Sequence, residues 1–233
     1  MVRYRGCMSR PLDDAAVTEV AVGLLLAQGY ETTTVGQLAD AVGTSRSSFF
    51  RRFRSKEDVV FADHEFLLEH LRAQLRVGGR DGVRAVTAAA RTVLEHHLRR
   101  PEVALARHRL LQAHPGLRER ELVSSHRYER LFAEHLRAVT PDVEDRAWAV
   151  TAFAAAVVAV HNEVLRSWLR TPGDVDAPAL LDERTEHLVS VLGPALDGRH
   201  APASRVLVAS FDAAADPDQV MAAVRTTLGA SVG

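Results

Sequence analysis

Lysine is almost missing from this chain. Of 29 basic residues only Lys56 is a lysine, and the rest are arginine. With the abundant alanine and valine, this suggests a GC-rich coding bias. Cysteine is as scarce. Cys7 alone excludes an internal disulfide, which fits a reducing, cytoplasmic compartment. No run of 18 residues is free of charge, so no membrane span is expected. The opening MVRYRGCMSR lacks the apolar centre of a signal peptide. The formal net charge is -1, so any nucleic-acid surface must be local rather than global. Neither HExxH, a cysteine pair, GxSxG nor a glycine-rich phosphate loop occurs. Eleven histidines remain to be weighed. His96 and His97 are adjacent and, on a helix, point about 100° apart. His64 and His70 lie on different faces, and His108, His126, His135 and His187 follow no spacing rule. No catalytic site, metal site or cofactor is therefore expected.

What is present is concentrated in TTVGQLADAVGTSRSSFFRRFRSK, residues 33–56. Thr34 is a good N-cap, and Val35, Leu38, Ala39 and Val42 recur on one helical face. Gly43 supplies the left-handed conformation that ends such a helix. Ser45 caps the next, in which Phe49 and Phe53 point inward and leave Arg46, Ser47, Ser48, Arg51 and Arg52 outside. From Gly43 to Lys56 there are five positive side chains and no acid. Two short helices joined by a glycine turn, the second basic and hydroxyl-rich, suit a DNA major groove. Arginine and serine serve base edges and phosphates alike. The competing reading is a solvated basic face on an ordinary helical domain.

AQGYETTTVGQLADAVGTSRSSFFRRFRSKEDVV resembles the DNA-binding domain of the TetR family of one-component transcriptional regulators. The features are Gly29-Tyr30, Thr33-Thr34-Val35, Leu38-Ala39, Gly43, the segment from Phe49 to Phe53, and Ser55-Lys56-Glu57. The resemblance covers roughly residues 13 to 60, about a fifth of the chain. The resemblance implies an all-α fold with three parts. These are an N-terminal three-helix helix-turn-helix domain (1–55), a larger helical ligand-binding and dimerisation domain (56–199), and a short C-terminal extension (200–233). The family usually has Tyr, reaching a phosphate, where this chain has Phe50. Phe50 cannot donate a hydrogen bond; it would pack on a backbone sugar or help the core, with Arg51 or Arg52 supplying the phosphate contact. The family also uses a lysine at the position of Lys56 on a phosphate.

Along the chain, Arg3, Arg5 and Arg10 make a basic arm for DNA, or a start that contacts nothing. Asp13 and Asp14 open a supporting helix with Val17, Val20, Ala21, Leu24 and Leu25 inside and Gly29 at its end. One long helix is expected over 56–77, capped by Ser55, ending at Gly78-Gly79; in the family it joins head to body. Its Val60, Leu67, Leu71 and Leu75 form a stripe shared by His64, read as a core or rim histidine with a sensor as the alternative. Further helices are expected from Asp81, over Pro101–Ala113, from the His114-Pro115-Gly116 break to near Val139, from about Asp142 to Arg170, and from Pro178 to about Leu192. The helix over 142–170 is apolar nearly all round and should be buried on several sides. His161, Asn162 and Glu163 at its centre either bond one another and a neighbouring helix or line a cavity. In the tail, Val206 to Phe211 reads as a strand or extended segment and Gln219 to Leu228 as a helix.

The candidate residues follow. Arg46, Ser47 and Ser48 would read bases, beside Phe50, and Thr34, Arg51, Arg52 and Lys56 would hold phosphates. His97, Arg109, His126, Arg127, His161 and Asn162 are the polar candidates for a ligand site, although Arg109 and Arg127 are also natural partners for surface salt bridges. The effector implied is an apolar or amphipathic small molecule: a lipid-like acid, an acyl thioester or an aromatic metabolite. The resemblance also implies a homodimer through the last two long helices, where Trp168 and Leu169 suit the contact. The expected function is repression at a palindromic double-stranded operator, relieved by ligand; activation is the alternative, and a non-DNA interaction protein or a ligand-processing enzyme the other classes.

Overall fold

The computed structural model describes residues 13–77, 81–140 and 142–197, and all secondary structure there is helical. The basic arm, Gly78-Gly79 and the segment 200–233 lie outside the described residues, and with them the expected tail strand and helix.

Helix α1 (Asp14–Gln28) starts where Asp13 accepts the Ala16 N–H at 2.7 Å. Asp13 is thus the cap, and Asp14 the first helical residue, where its charge favours the helix dipole. Val17, Ala21 and Leu25 of the expected stripe are fully buried, with Val20 and Leu24 packed at its edge. Helix α2 (Val35–Ala41) carries a reciprocal cap. The Thr34 hydroxyl accepts from Gln37 N–H, and the Gln37 side chain accepts from Thr34 N–H at 2.8 Å. Gly43, at φ 72°, then turns the chain into α3 (Arg46–Arg52), which Ser45 caps by accepting Ser48 N–H at 3.1 Å. Phe49 and Phe53 are buried with ring centroids 5.1 Å apart, which locks α3 onto α1 and α2.

The expected single helix over 56–77 is two: α4 (Lys56–Val60) and α5 (Ala62–Val77). Continuation would send the Asp63 N–H back to the Val59 carbonyl. It donates instead to the Thr18 hydroxyl on α1, at 3.1 Å. A tertiary hydrogen bond has replaced a helical one, and Phe61 marks the joint.

The body follows as α6 (Gly82–Leu98), α7 (Pro101–Ala113), α8 (Pro115–Val139), α9 (Ala147–Arg170) and α10 (Ala177–Leu196). Prolines open α7 and α8 at the expected positions, since a missing N–H costs nothing there. The helix expected from Asp142 begins at Ala147, after a 3-10 turn over Val143–Arg146. Asp142 has φ 46° and ψ 46°, a left-handed conformation that cannot belong to a right-handed helix. Helix α10 runs past Leu192, with Pro194 accommodated in its last turn.

Helix α9 packs among α6, α8 and α10, burying Ala149, Val150, Phe153, Ala154, Val157, Val158 and Val164. Glu144–Arg170 is long and apolar enough, by length and composition alone, to cross a membrane; here the apolar surface forms the body's centre. The head's core is continuous with the body's first helices, since Leu110 and Leu111 of α7 and Leu117 of α8 pack with Val17, Leu38, Phe49 and Phe61.

Candidate functional site

Two features have the build of a functional site. The first is the outer face of α3. Arg46, Ser47, Phe50, Arg51 and Arg52 are exposed there and Ser48 is half-buried. The hydroxyls of Ser47 and Ser48 lie 3.0 and 3.1 Å from that of Ser45, which gathers three of them at the helix N-terminus. Phe50 is 46% exposed, under the Arg46 guanidinium at 5.8 Å, so it does not join the core. Arg51 donates to Ser48 Oγ at 3.3 Å, and neither Arg46 nor Arg51 is in an ion pair among the described residues. Arg52 is bound differently. It pairs with Asp14 on α1 and lies over the Phe53 ring at 4.9 Å, so it braces the head. Thr34 is exposed, but its hydroxyl is engaged in the cap. Lys56 is half-buried, donates to the Tyr30 carbonyl at 2.8 Å and sits 4.5 Å from the Tyr30 ring centroid. An ammonium has three donors, so two remain for another partner.

The second feature is a cavity of about 410 Å³ in the body. Phe61, Val93, Tyr128, Phe132, Val158 and Leu165 give it largely apolar walls, a composition and size suited to a small molecule. Its exposed lining residues, Gln112, Arg118 and Arg166, mark a mouth between α7, α8 and α9. Four histidines line it, namely His64, His97, His108 and His161. Burial lowers His64 to about 3 and His161 to about 4, and pushes His97 well down, so all three are neutral near pH 7. Among the described residues no group of three or more His, Cys, Asp or Glu is placed to hold a metal ion.

Beneath the cavity lies a buried polar knot. Arg107 donates to Asp63 Oδ2 at 2.7 Å, and His96 Nε2 lies 3.1 Å from the same oxygen. Asp63 Oδ1 faces the Thr18 hydroxyl at 3.4 Å. Burial acts to raise the Asp63 carboxyl, but the Arg107 charge and the His96 hydrogen bond hold it well below the usual carboxylate range. Arg107 also reaches His64, whose other nitrogen meets Tyr128. Cavity wall and DNA head are thus joined by consecutive polar contacts.

Of the ligand candidates, His97, His161 and Asn162 line the cavity. At the centre of α9 both expected alternatives hold at once: His161 Nδ1 lies 3.1 Å from Asn162 Oδ1, and Asn162 donates to Ser125 on α8 at 3.1 Å, while both residues face the cavity. Arg109, His126 and Arg127 are outside it. Arg109 is exposed on the far side of α7, and His126 is exposed beside Glu129. Arg127 is paired through both nitrogens with Glu65. Leu169 lines the cavity too, and Trp168 packs on the cluster of Leu94, Val164, Ala177 and Leu181; both are half-buried. Sequence reasoning missed Arg107 and Tyr128. The usable signal was periodicity: Arg107 falls on the buried stripe of Ala104, Leu110 and Leu111, and Tyr128 on that of Ser124, Leu131 and Phe132.

A helix-turn-helix with a basic outer face, set on a helical body with a ligand-sized cavity, defines the class of helical one-component DNA-binding regulators. The chain belongs to the TetR family. Residues 17–62 match the family model "Bacterial regulatory proteins, tetR family", and residues 81–193 match "MftR C-terminal domain". The HTH-type transcriptional regulator TcmR of Streptomyces glaucescens is 35% identical over an alignment of 166 residues that covers 67% of this chain and 74% of TcmR. Among solved structures, Thermus thermophilus FadR, a TetR family repressor in complex with lauroyl-CoA, shares 22% identity at a TM-score of 0.53, covering 83% of this chain and 100% of that one. The fatty acid degradation regulator FadR of Bacillus halodurans shares 18% at a TM-score of 0.53, covering 76% and 94%. At these identities the two structures bear on the fold alone.

Proposed function

We propose that this protein is a cytoplasmic, homodimeric repressor that binds a palindromic operator and is released by an apolar or amphipathic small molecule. The observation that carries the reading is the acid-free outer face of α3, beside a separate ligand-sized cavity. Arg46, Ser47 and Ser48 meet base edges, Phe50 lies against the sugar-phosphate backbone, and Arg51 holds a phosphate in place of the family's tyrosine. Lys56 contributes a phosphate contact from the flanking cap, and Thr34 does so by turning its hydroxyl proton away from Gln37. Arg52 adds to them only by leaving Asp14. Residues 1–55 form the DNA head, 56–199 the sensing and dimerising body, and 200–233 an extension. The dimer forms through α9 and α10, whose outer side carries Trp148 and Val191, 64% and 60% exposed. Twofold pairing sets two copies of α3 about 34–36 Å apart, on half-sites one helical turn apart. Effector binding favours the conformation in which the heads no longer match that spacing, and only its differential affinity for the two states drives release.

The test is selection of bound duplexes from a random pool by the purified protein, repeated with Arg46→Ala. A palindrome with half-sites one turn apart is expected. Arg46→Ala, an exposed change, should weaken binding roughly tenfold without altering thermal stability. No enrichment at low salt would overturn the regulator reading, and operator binding unchanged in Arg46→Ala would overturn the residue assignment.

A further inference from the structure

The floor of the cavity fixes the direction of its hydrogen bonds. Arginine only donates, and Arg107 Nη1 lies 3.1 Å from His64 Nε2. That nitrogen therefore carries the lone pair. Burial keeps His64 neutral, so its single proton is on Nδ1. Nδ1 is 3.1 Å from the Tyr128 hydroxyl and must donate to it. The Tyr128 oxygen is then an acceptor, and its own proton is left over. Among the described residues no side chain or carbonyl takes that proton, and Tyr128 lines the cavity. Burial, reinforced by the Asp63 charge, raises the Tyr128 phenol above its ordinary range, so the proton is retained.

We propose that the cavity selects ligands carrying a neutral carbonyl oxygen on an apolar body, held by the Tyr128 hydroxyl as donor and aimed by His64 and Arg107 as positioning residues. This rests on reading the body as the sensor and names the chemistry it senses. The donors run in one sense, Arg107 to His64 to Tyr128 to ligand, and hydrogen bonds in such a chain polarise one another. A carboxylate is disfavoured at the same place. Of the three arginines that line the cavity, Arg118 and Arg166 are exposed at its mouth and Arg107, beside His64 and Tyr128, is already matched by Asp63 at 2.7 Å; an unpaired anion in an apolar site is costly. The remaining floor, Val93, Phe132 and Val158, asks only for apolar bulk.

The experiment uses three probes on one scaffold: benzophenone, diphenylmethane, and diphenylacetate, which carries a carboxylate. Calorimetric titration of the full-length protein should give benzophenone about tenfold tighter than diphenylmethane, the worth of one net hydrogen bond, with diphenylacetate the weakest. In Tyr128→Phe the ratio should collapse towards one while diphenylmethane affinity stays within about twofold. In His64→Leu the freed hydroxyl should lower the ratio with diphenylmethane affinity again unchanged; an undiminished ratio would remove the positioning role. Equal binding of benzophenone and diphenylmethane to the unaltered protein, or a ratio that survives Tyr128→Phe, would overturn the donor assignment and leave the sensor reading intact. Tighter binding of diphenylacetate than benzophenone would overturn the preference for a neutral ligand. Failure of all three to bind would overturn the sensor reading itself, and this proposal with it.

Discussion

Lowering the pH from 7 to 5 should remove much of this protein's stability, through three histidines around the cavity. His97 and His161 are 8% and 7% exposed, and both nitrogens of His64 are taken by Arg107 and Tyr128. Burial depresses all three, His64 to about 3, His161 to about 4 and His97 well below its ordinary value. An unfolded histidine titrates near 6.5. Between that value and the folded one the unfolded chain binds more protons, so the contribution is complete above about 6.5 and lost as pH falls towards the folded values. From pH 7 to 5 His64 and His161 lose about 2 kcal/mol each, about 4 kcal/mol together, and the depression of His97 adds to the loss in the same direction. Glu121, which burial raises, takes up a proton in the folded state and offsets part of this. The depression of Asp63 acts only at lower pH, below the unfolded carboxylate range. A loss of this size is a large share of the whole stability of an ordinary domain, about 5–15 kcal/mol. Urea unfolding followed by circular dichroism, at fixed protomer concentration, should show a large fall in midpoint. His97→Gln and His161→Gln should each shrink the pH-dependent loss. Equal midpoints at pH 7 and 5, or an undiminished loss in both His97→Gln and His161→Gln, would refute the reasoning.

Arg107→Met leaves the buried Asp63 carboxylate without its cation and should cost about 3–5 kcal/mol, read as a lowered melting temperature. The double change Arg107→Met with Asp63→Leu should lie closer to the unaltered protein than the single one. Gly82→Ala places a methyl 2.5 Å from Val139 Cγ2 and 3.2 Å from Leu136 Cδ2, where α6 begins against the end of α8. Overpacking of about 1–3 kcal/mol outweighs the helix-propensity gain of about 1 kcal/mol, so a net loss is expected in thermal melts.

The head was legible because its signals are local. Thr34 and Ser45 caps, Gly43, and the Phe49 and Phe53 spacing are written within a few residues of the backbone groups they satisfy. The prolines at 101 and 115 mark helix starts for the same reason. The break at Phe61 was hidden, because its cause is a hydrogen bond to Thr18, 45 residues away in sequence. The cavity was read in part. A buried-looking polar cluster on an apolar helix pointed to His161 and Asn162, but on α7 the expectation falls on Arg109, which is exposed, while Arg107 lines the cavity. Arg107 and Arg109 differ by two positions, about 200° around a helix, which is the difference between a cavity wall and solvent. Charge type located the helix, and only the apolar stripe could have located the face.

The scarcity of lysine has a practical side once Lys56 is placed. The chain offers acylating reagents one side-chain amine, and that amine is held against the carbonyl and ring of Tyr30, where α1 gives way to the helix-turn-helix. Besides the α-amino group, whose lower pKa lets it be labelled separately at lower pH, an amine label therefore has one side-chain target, at a known point of the head next to the segment that carries α3. The rate of attachment at Lys56 reads how often the Lys56–Tyr30 contact opens, so the protein carries its own side-chain reporter of head loosening, with no residue added or removed.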